Sequence, residues 1–176
     1  MKNFILLSAF FCFVKTTAAQ QLPCSNPVYR QFDFWIGEWE AFGKNGQKAG
    51  DSKISLVLDS CIILEEWTSA SVNRGLHYAG KSFNTYNAVT KQWQQTWVDN
   101  TGGSTEYLEG KFDNKKIILL TKPFPFSRDT LAIRRLTFFD LDRNKVRQLG
   151  EISKDNGMSW VTEYDLEYRR KKPANQ

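Results

Sequence analysis

Between positions 158 and 168 the chain alternates. Met158, Trp160, Thr162, Tyr164, Leu166 and Tyr168 fall on one face, and Ser159, Val161, Glu163, Asp165 and Glu167 on the other. A period of two with carboxylates on one side predicts a β-strand with one face wet. Positions 52–58 behave the same way, with Ile54, Leu56 and Leu58 in phase. So do positions 93–99, where Trp93, Gln95, Trp97 and Asp99 share a face. Turn signals separate such segments: Lys44-Asn45-Gly46, Asn73-Arg74-Gly75, Thr101-Gly102-Gly103, Asp113-Asn114 and Asp155-Asn156-Gly157. About ten strands are predicted, near 35–42, 51–59, 61–70, 76–86, 91–99, 103–111, 115–122, 130–140, 144–153 and 158–169.

The fold class is therefore all-β. Short connections make sequence neighbours spatial neighbours. An up-and-down antiparallel barrel closes the edges of such a meander; a sandwich with protected edges is the alternative. A barrel of about ten strands is wide enough to leave room for a small ligand. Pro23 and Pro27 disfavour a long helix near the start, although a helical turn fits from Pro27 through 29–34. Pro123-Phe124-Pro125-Phe126 interrupts the strand pattern and is the candidate flap over an opening. No internal repeat is evident.

The first residues read as a signal peptide. A positive start, an apolar run over 4–14 and the small residues Thr17-Ala18-Ala19 come in the order that export requires, with cleavage after Ala19. A buried N-terminal element is the alternative. Residues 20–176 then form one domain, periplasmic or secreted. Of the 24 basic residues, two (Lys2 and Lys15) leave with the signal, so 22 face 19 acidic ones. This mixed balance, without a concentrated basic stripe, argues against nucleic acid. No second apolar run is long enough to cross a bilayer, so stable membrane insertion is not expected. Cleavage also leaves two cysteines, Cys24 and Cys61. In an exported chain they suggest a disulfide, with two unrelated thiols as the alternative. One histidine, His77, and no cysteine cluster leave no metal site and imply no cofactor.

"SKDNGMSW" (153–160) resembles the Asp-box of sialidases. The type of turn explains its residues: Ser153 and Asp155 bond loop amides, Gly157 takes positive φ, and Trp160 folds over the hairpin. One copy in a chain of this length builds no propeller, and the turn supplies neither a nucleophile nor an acid. It is expected to be structural.

"FDFWIGEWE" (32–40) resembles the opening of a family of secreted, uncharacterised bacterial proteins with a lipocalin-like (calycin-type) barrel. Further matches are Asp59-Ser60-Cys61 with Glu65-Glu66-Trp67, Gly80-Lys81-Ser82 with Tyr86, "WQQTWVDNTGG" (93–103), and "VRQLGEISKDNGMSW" (146–160) with Tyr168. Together they span nearly all of the chain after the signal. The resemblance implies a fold and no particular reaction. Gly37-x-Trp39 also resembles the Gly-x-Trp start of lipocalins and of haem-binding nitrobindin-like barrels, where the tryptophan packs across the closed end. Trp35 and Trp39 would then share one strand face. Haem-binding barrels of that type use a late histidine, and this chain has none after His77.

The candidate ligand-binding residues are Trp67, Trp93, Gln95, Trp97, Asp99, Gln148, Glu66 and Arg135. The Trp93-Gln95-Trp97-Asp99 row suits a wall that grips a polar group within an apolar pocket; the alternative is that this face points outward and covers a loop. Gln148 is in phase with Val146 and Ile152. Glu66 is in phase with Ile62 and Leu64 unless a bulge shifts the register, and Arg135 is in phase with Leu131 and Ile133. His77, beginning a strand after a turn, reads as a surface residue. No catalytic residue is assigned. The leading expectation is an exported barrel that binds a small, partly apolar molecule. The alternatives are a hydrolase or isomerase using an inward carboxylate, Glu66 or Asp99, and an interaction module using Phe124 and Phe126.

Overall fold

The computed structural model describes residues 23–172; the predicted signal segment, 1–19, lies outside them. Eleven strands follow two short 3-10 turns, Pro27–Arg30 and Asp33–Trp35. They are β1 (Gly37–Gly43), β2 (Lys48–Val57), β3 (Ile62–Asn73), β4 (Leu76–Asn87), β5 (Gln92–Asp99), β6 (Ser104–Phe112), β7 (Lys116–Thr121), β8 (Phe124–Ser127), β9 (Thr130–Asp142), β10 (Lys145–Ser153) and β11 (Val161–Arg170). Each strand pairs antiparallel with the next, apart from β7, which skips β8. β7 pairs with β9, and β11 returns to β1, which closes a ten-stranded up-and-down barrel. Closure removes every long unpaired edge. The ten predicted strands are all present. The Pro-Phe-Pro-Phe segment is an eleventh, β8, which pairs with the start of β9, Phe124 opposite Ala132.

One end of the barrel is plugged by the 3-10 turns. Phe32 and Trp35 are fully buried there, their rings stacked 5.3 Å apart. Phe138 lies 4.5 Å from Trp35, and Trp93 stands edge-on to Phe32 at 5.6 Å. Each such ring contributes roughly 1.5–3 kcal/mol by leaving water. Trp35 is not on a strand, contrary to expectation; it ends the second 3-10 turn. Its carbonyl accepts the Trp39 indole N–H at 2.8 Å, so the Gly-x-Trp tryptophan ties β1 to the plug. The Cys24–Cys61 disulfide spans 37 positions and fastens the start of the plug to the β2–β3 turn. The Arg30 guanidinium donates to the Ser60 carbonyl in that same turn.

The "SKDNGMSW" hairpin joins β10 to β11. Ser153 Oγ donates to Asp155 Oδ1 at 2.7 Å and accepts from the Gly157 amide at 2.8 Å. The Ser159 amide donates to Asp155 Oδ1 at 2.9 Å, and Gly157 has φ +87°. Trp160 Nε1 closes the loop on the Gly157 carbonyl at 3.1 Å. Ser153, Asp155, Ser159 and Trp160 are all used by the turn, while Lys154 lies over the Phe126 ring at 3.8 Å.

Candidate functional site

The end opposite the plug is open and leads into a cavity of about 470 Å³. Its depth is set by β3, β4, β5, β10 and β11. Along β3 the inward residues are Ile63 in the core, Glu65 above it and Trp67 above that; along β5 they are Trp93, Gln95, Trp97 and Asp99.

Glu65, 2% exposed, lies at the floor. Ser52 Oγ donates to its Oε1 and Ser82 Oγ to its Oε2, both at 2.9 Å. Burial pushes the Glu65 carboxyl up to about 7, against the pull of these hydroxyls and of Tyr168. Tyr168 Oη lies 2.7 Å from Gln148 Oε1 and 3.4 Å from Glu65 Oε1. The shorter distance is that of a good O–H···O bond, so Gln148 is the main acceptor of the phenol proton and Glu65 the weaker one.

The direction of the remaining bonds is fixed by one backbone atom. The Ile63 carbonyl can only accept, so the Asn84 group bonded to it at 3.0 Å is Nδ2. Nδ2 also donates to Ser82 Oγ at 3.0 Å, which sends the serine proton on to Glu65. Asn84 Oδ1 is left to accept from Gln95 Nε2 at 2.7 Å. Gln95, 3% exposed, therefore turns Oε1 toward the cavity it lines, with no partner among the described residues. Gln148 presents its Nε2 in the same unpartnered state.

Aromatic side chains form the walls. The Trp67 ring lies over Gly50, Trp97 over Gly80 and Tyr164 over Gly150, and a Cβ on any of the three glycines would strike the ring. At Gly50 it would sit 2.5 Å from both Trp67 Cζ2 and the Thr68 carbonyl oxygen. These glycines let large rings lie flat against the sheet and leave the centre open. The hairpins β2–β3 and β4–β5 repeat the device. Gly80, Ser82, Gln95 and Trp97 each follow Gly50, Ser52, Glu65 and Trp67 by 30 positions. The repeat, not evident in the sequence, consists of four spaced residues in otherwise dissimilar hairpins.

At the rim, Trp97 Nε1 donates to Tyr78 Oη, which donates to Asp99 Oδ2, each at 3.1 Å. The Thr101 hydroxyl and the Thr101 and Gly103 amides bond the same carboxylate and hold it down at about 2. Asp99 is thus an ionised anchor for the β5–β6 loop and for the Trp97 ring. Arg134 forms a bidentate pair with Glu163, Nε to Oε2 at 2.9 Å and Nη2 to Oε1 at 3.1 Å. Phe124 of β8 covers its guanidinium at 5.0 Å.

Of the candidate residues, Trp67, Gln95, Trp97, Asp99 and Gln148 line the cavity. Trp93 shares their face but lies deeper, in the plug, where its Nε1 donates to Gln31 Oε1 at 3.0 Å. Glu66 and Arg135 do not face inward. Glu66 is on the outer wall, paired with Lys81 at 2.7 Å. Arg135 is outside too, paired with Glu151 at 2.8 Å and stacked 4.1 Å from the Trp160 ring. Their neighbours Glu65 and Arg134 take the inward places, and Tyr168 and Tyr164 are also on the lining. Ile62-Ile63-Leu64 is apolar at three successive positions and fixes no phase. Trp67 did carry the signal, since consecutive strand residues cannot both face in. His77 is exposed, with Nδ1 on the Ser69 carbonyl. Among the described residues no cluster of His, Cys, Asp and Glu could hold a metal, and no helix is long and apolar enough to cross a membrane. The chain matches no protein-family model and no curated protein.

Proposed function

We propose that the protein is an exported barrel that binds a small, partly apolar molecule in the open half of its interior. The observation that carries this reading is the cavity of about 470 Å³, with flat aromatic walls over a polar floor. A volume in the range of small-molecule pockets, with few polar groups set among rings, is the usual design of a ligand site. The opening residues and the later matched segments, with their resemblance to secreted lipocalin-like proteins, support the same reading, as does the disulfide. Titration with the uncharged dye N-phenyl-1-naphthylamine tests it. Saturable fluorescence enhancement is expected, and Leu166→Trp, which fills the cavity, abolishes it with the circular dichroism unchanged. Equal dye binding by the filled variant would refute the reading.

A second reading is general acid–base catalysis by Glu65, as in an isomerase. It is favoured by a carboxyl held at about 7 on the floor of a cavity, the range suited to proton transfer at neutral pH. The sequence-based candidates for that role do not fit it. Glu66 faces solvent, and Asp99 is held ionised by its loop. Any turnover detected with the protein that survives Glu65→Gln would remove this reading.

A further inference from the structure

Resting on the ligand-binding reading, we infer that the bound molecule is an organic ammonium ion, seated on the Glu65–Gln95–Tyr168 floor between the Trp67 and Trp97 rings. The floor is rich in acceptors. The Ile63 carbonyl orients Asn84, Asn84 orients Gln95, and the chain ends on Gln95 Oε1, which faces the cavity without a donor. Tyr168 gives its proton chiefly to Gln148 and weakly to Glu65, and its oxygen can accept as well. Glu65 adds a carboxylate whose protein partners, Ser52, Ser82 and Tyr168, are neutral hydroxyls. Gln148 Nε2 is a donor among them, and the hydroxyls of Tyr107, Tyr164, Ser104 and Thr105 higher on the lining can donate or accept.

Charge points the same way. Three carboxylates line the cavity, Glu65, Asp99 and Glu163, against one basic residue, Arg134, whose charge Glu163 already neutralises through two bonds. An anionic ligand would meet unbalanced negative charge, and above about pH 7, where Glu65 is ionised, a neutral one would leave it without a counter-ion. An ammonium group supplies both the donors that Gln95 and Tyr168 lack and the charge that Glu65 lacks. The Trp67 and Trp97 faces add the attraction of aromatic rings for cations.

Three probes share one ring system and differ in charge: tryptamine (cationic), tryptophol (neutral) and indole-3-acetate (anionic). Calorimetric titration near pH 8 is expected to show tryptamine binding about tenfold or more tighter than tryptophol, as one charge-assisted hydrogen bond in a buried site is worth that much. Indole-3-acetate is expected to bind weakest. Glu65→Gln is expected to bring tryptamine and tryptophol within about twofold of each other. If tryptophol or indole-3-acetate matches tryptamine on the wild-type protein while the dye still binds, the ammonium assignment is overturned and the binding reading stands. If the dye and all three indoles fail to bind, the binding reading falls and takes this inference with it. The comparison on the wild-type protein decides the matter even where E65Q fails to fold.

Discussion

The side-chain amide of Asn84 donates to the main-chain carbonyl of Ile63 at 3.0 Å, on the neighbouring strand and directly opposite in register. Because a carbonyl cannot donate, this bond sets the orientation of every polar side chain from Asn84 to Gln95 and from Ser82 to Glu65. Asn84→Asp preserves shape and removes the donor, leaving a buried carboxylate against the carbonyl oxygen. We expect a loss of about 3 kcal/mol at neutral pH, read by urea unfolding, with much of it recovered near pH 4. A loss independent of pH would mean that the donor is not what the site requires.

Glu65 gives the fold a pH dependence of opposite sign to the usual one. Its carboxyl is held at about 7, raised by burial above an ordinary 4.5, so the folded chain binds the proton more tightly than the unfolded one. Stability is therefore full below about 4.5 as far as this group is concerned, and falls as pH rises toward 7. The loss is about 3 kcal/mol, or roughly 6–12 °C in Tm for a chain of this size. Glu65→Gln is expected to flatten the Tm profile between pH 5 and 8. Asp51, Asp99, Asp155 and Asp165 are all held below the usual range, so their contributions disappear only at lower pH, outside that window. Parallel profiles for the two proteins would contradict this account.

Gly80 is the seat of the Trp97 ring. A methyl group there meets the ring and the Val98 carbonyl oxygen, and the latter cannot swing aside. Gly80→Ala is expected to cost about 1–3 kcal/mol, as overpacking does, and to tilt Trp97 into the cavity. Dye affinity should fall at temperatures where the variant is still folded, and the tryptophan emission maximum should shift. Gly46, a turn glycine with φ +77° and open space around it, offers a comparison in which only backbone strain acts.

The disulfide and the cavity belong to opposite ends of the barrel. Replacing Cys24 and Cys61 by serine is expected to lower stability by about 4 kcal/mol, the loop-closure value for a separation of 37. Dye affinity, measured well below the new Tm, should change by less than twofold. A large change would mean that the plug shapes the cavity floor.

The ten barrel strands and their meander order are legible in the sequence, because alternation and turn residues mark nearly every segment; β8 is not, since its prolines break the pattern, and the β11–β1 pairing decides for a barrel over a sandwich. The Trp93-to-Asp99 row is legible for the same reason. Alternation puts these four residues on one face, but Gln94, Thr96 and Val98 opposite them do not say which face is inside; the closed barrel turns the row inward. Phase is lost where apolar residues run together. Ile62-Ile63-Leu64 and the Leu131-to-Ile133 stretch fit either face, and Glu66 and Arg135 are each displaced by one position from the inward residue. The helical turn after Pro27 is legible too, but its last residue is Trp35, which the sequence pattern places on the first strand because the Trp35 to Trp39 spacing also fits one strand face. The Glu65 network leaves no local signature, since its members come from β2, β3, β4, β5, β10 and β11 and meet only when the barrel closes.

The anchoring of the floor to a main-chain oxygen separates two properties that pockets commonly vary together. Size and shape reside in the rings over Gly50, Gly80 and Gly150. Hydrogen-bond polarity resides in the sheet, which no single side-chain replacement on the walls can reverse. Descendants of such a barrel can enlarge or narrow the chamber by trading tryptophan for smaller residues and still inherit the same acceptor-rich base. Wall diversity under a constant floor is the pattern of variation that this architecture permits.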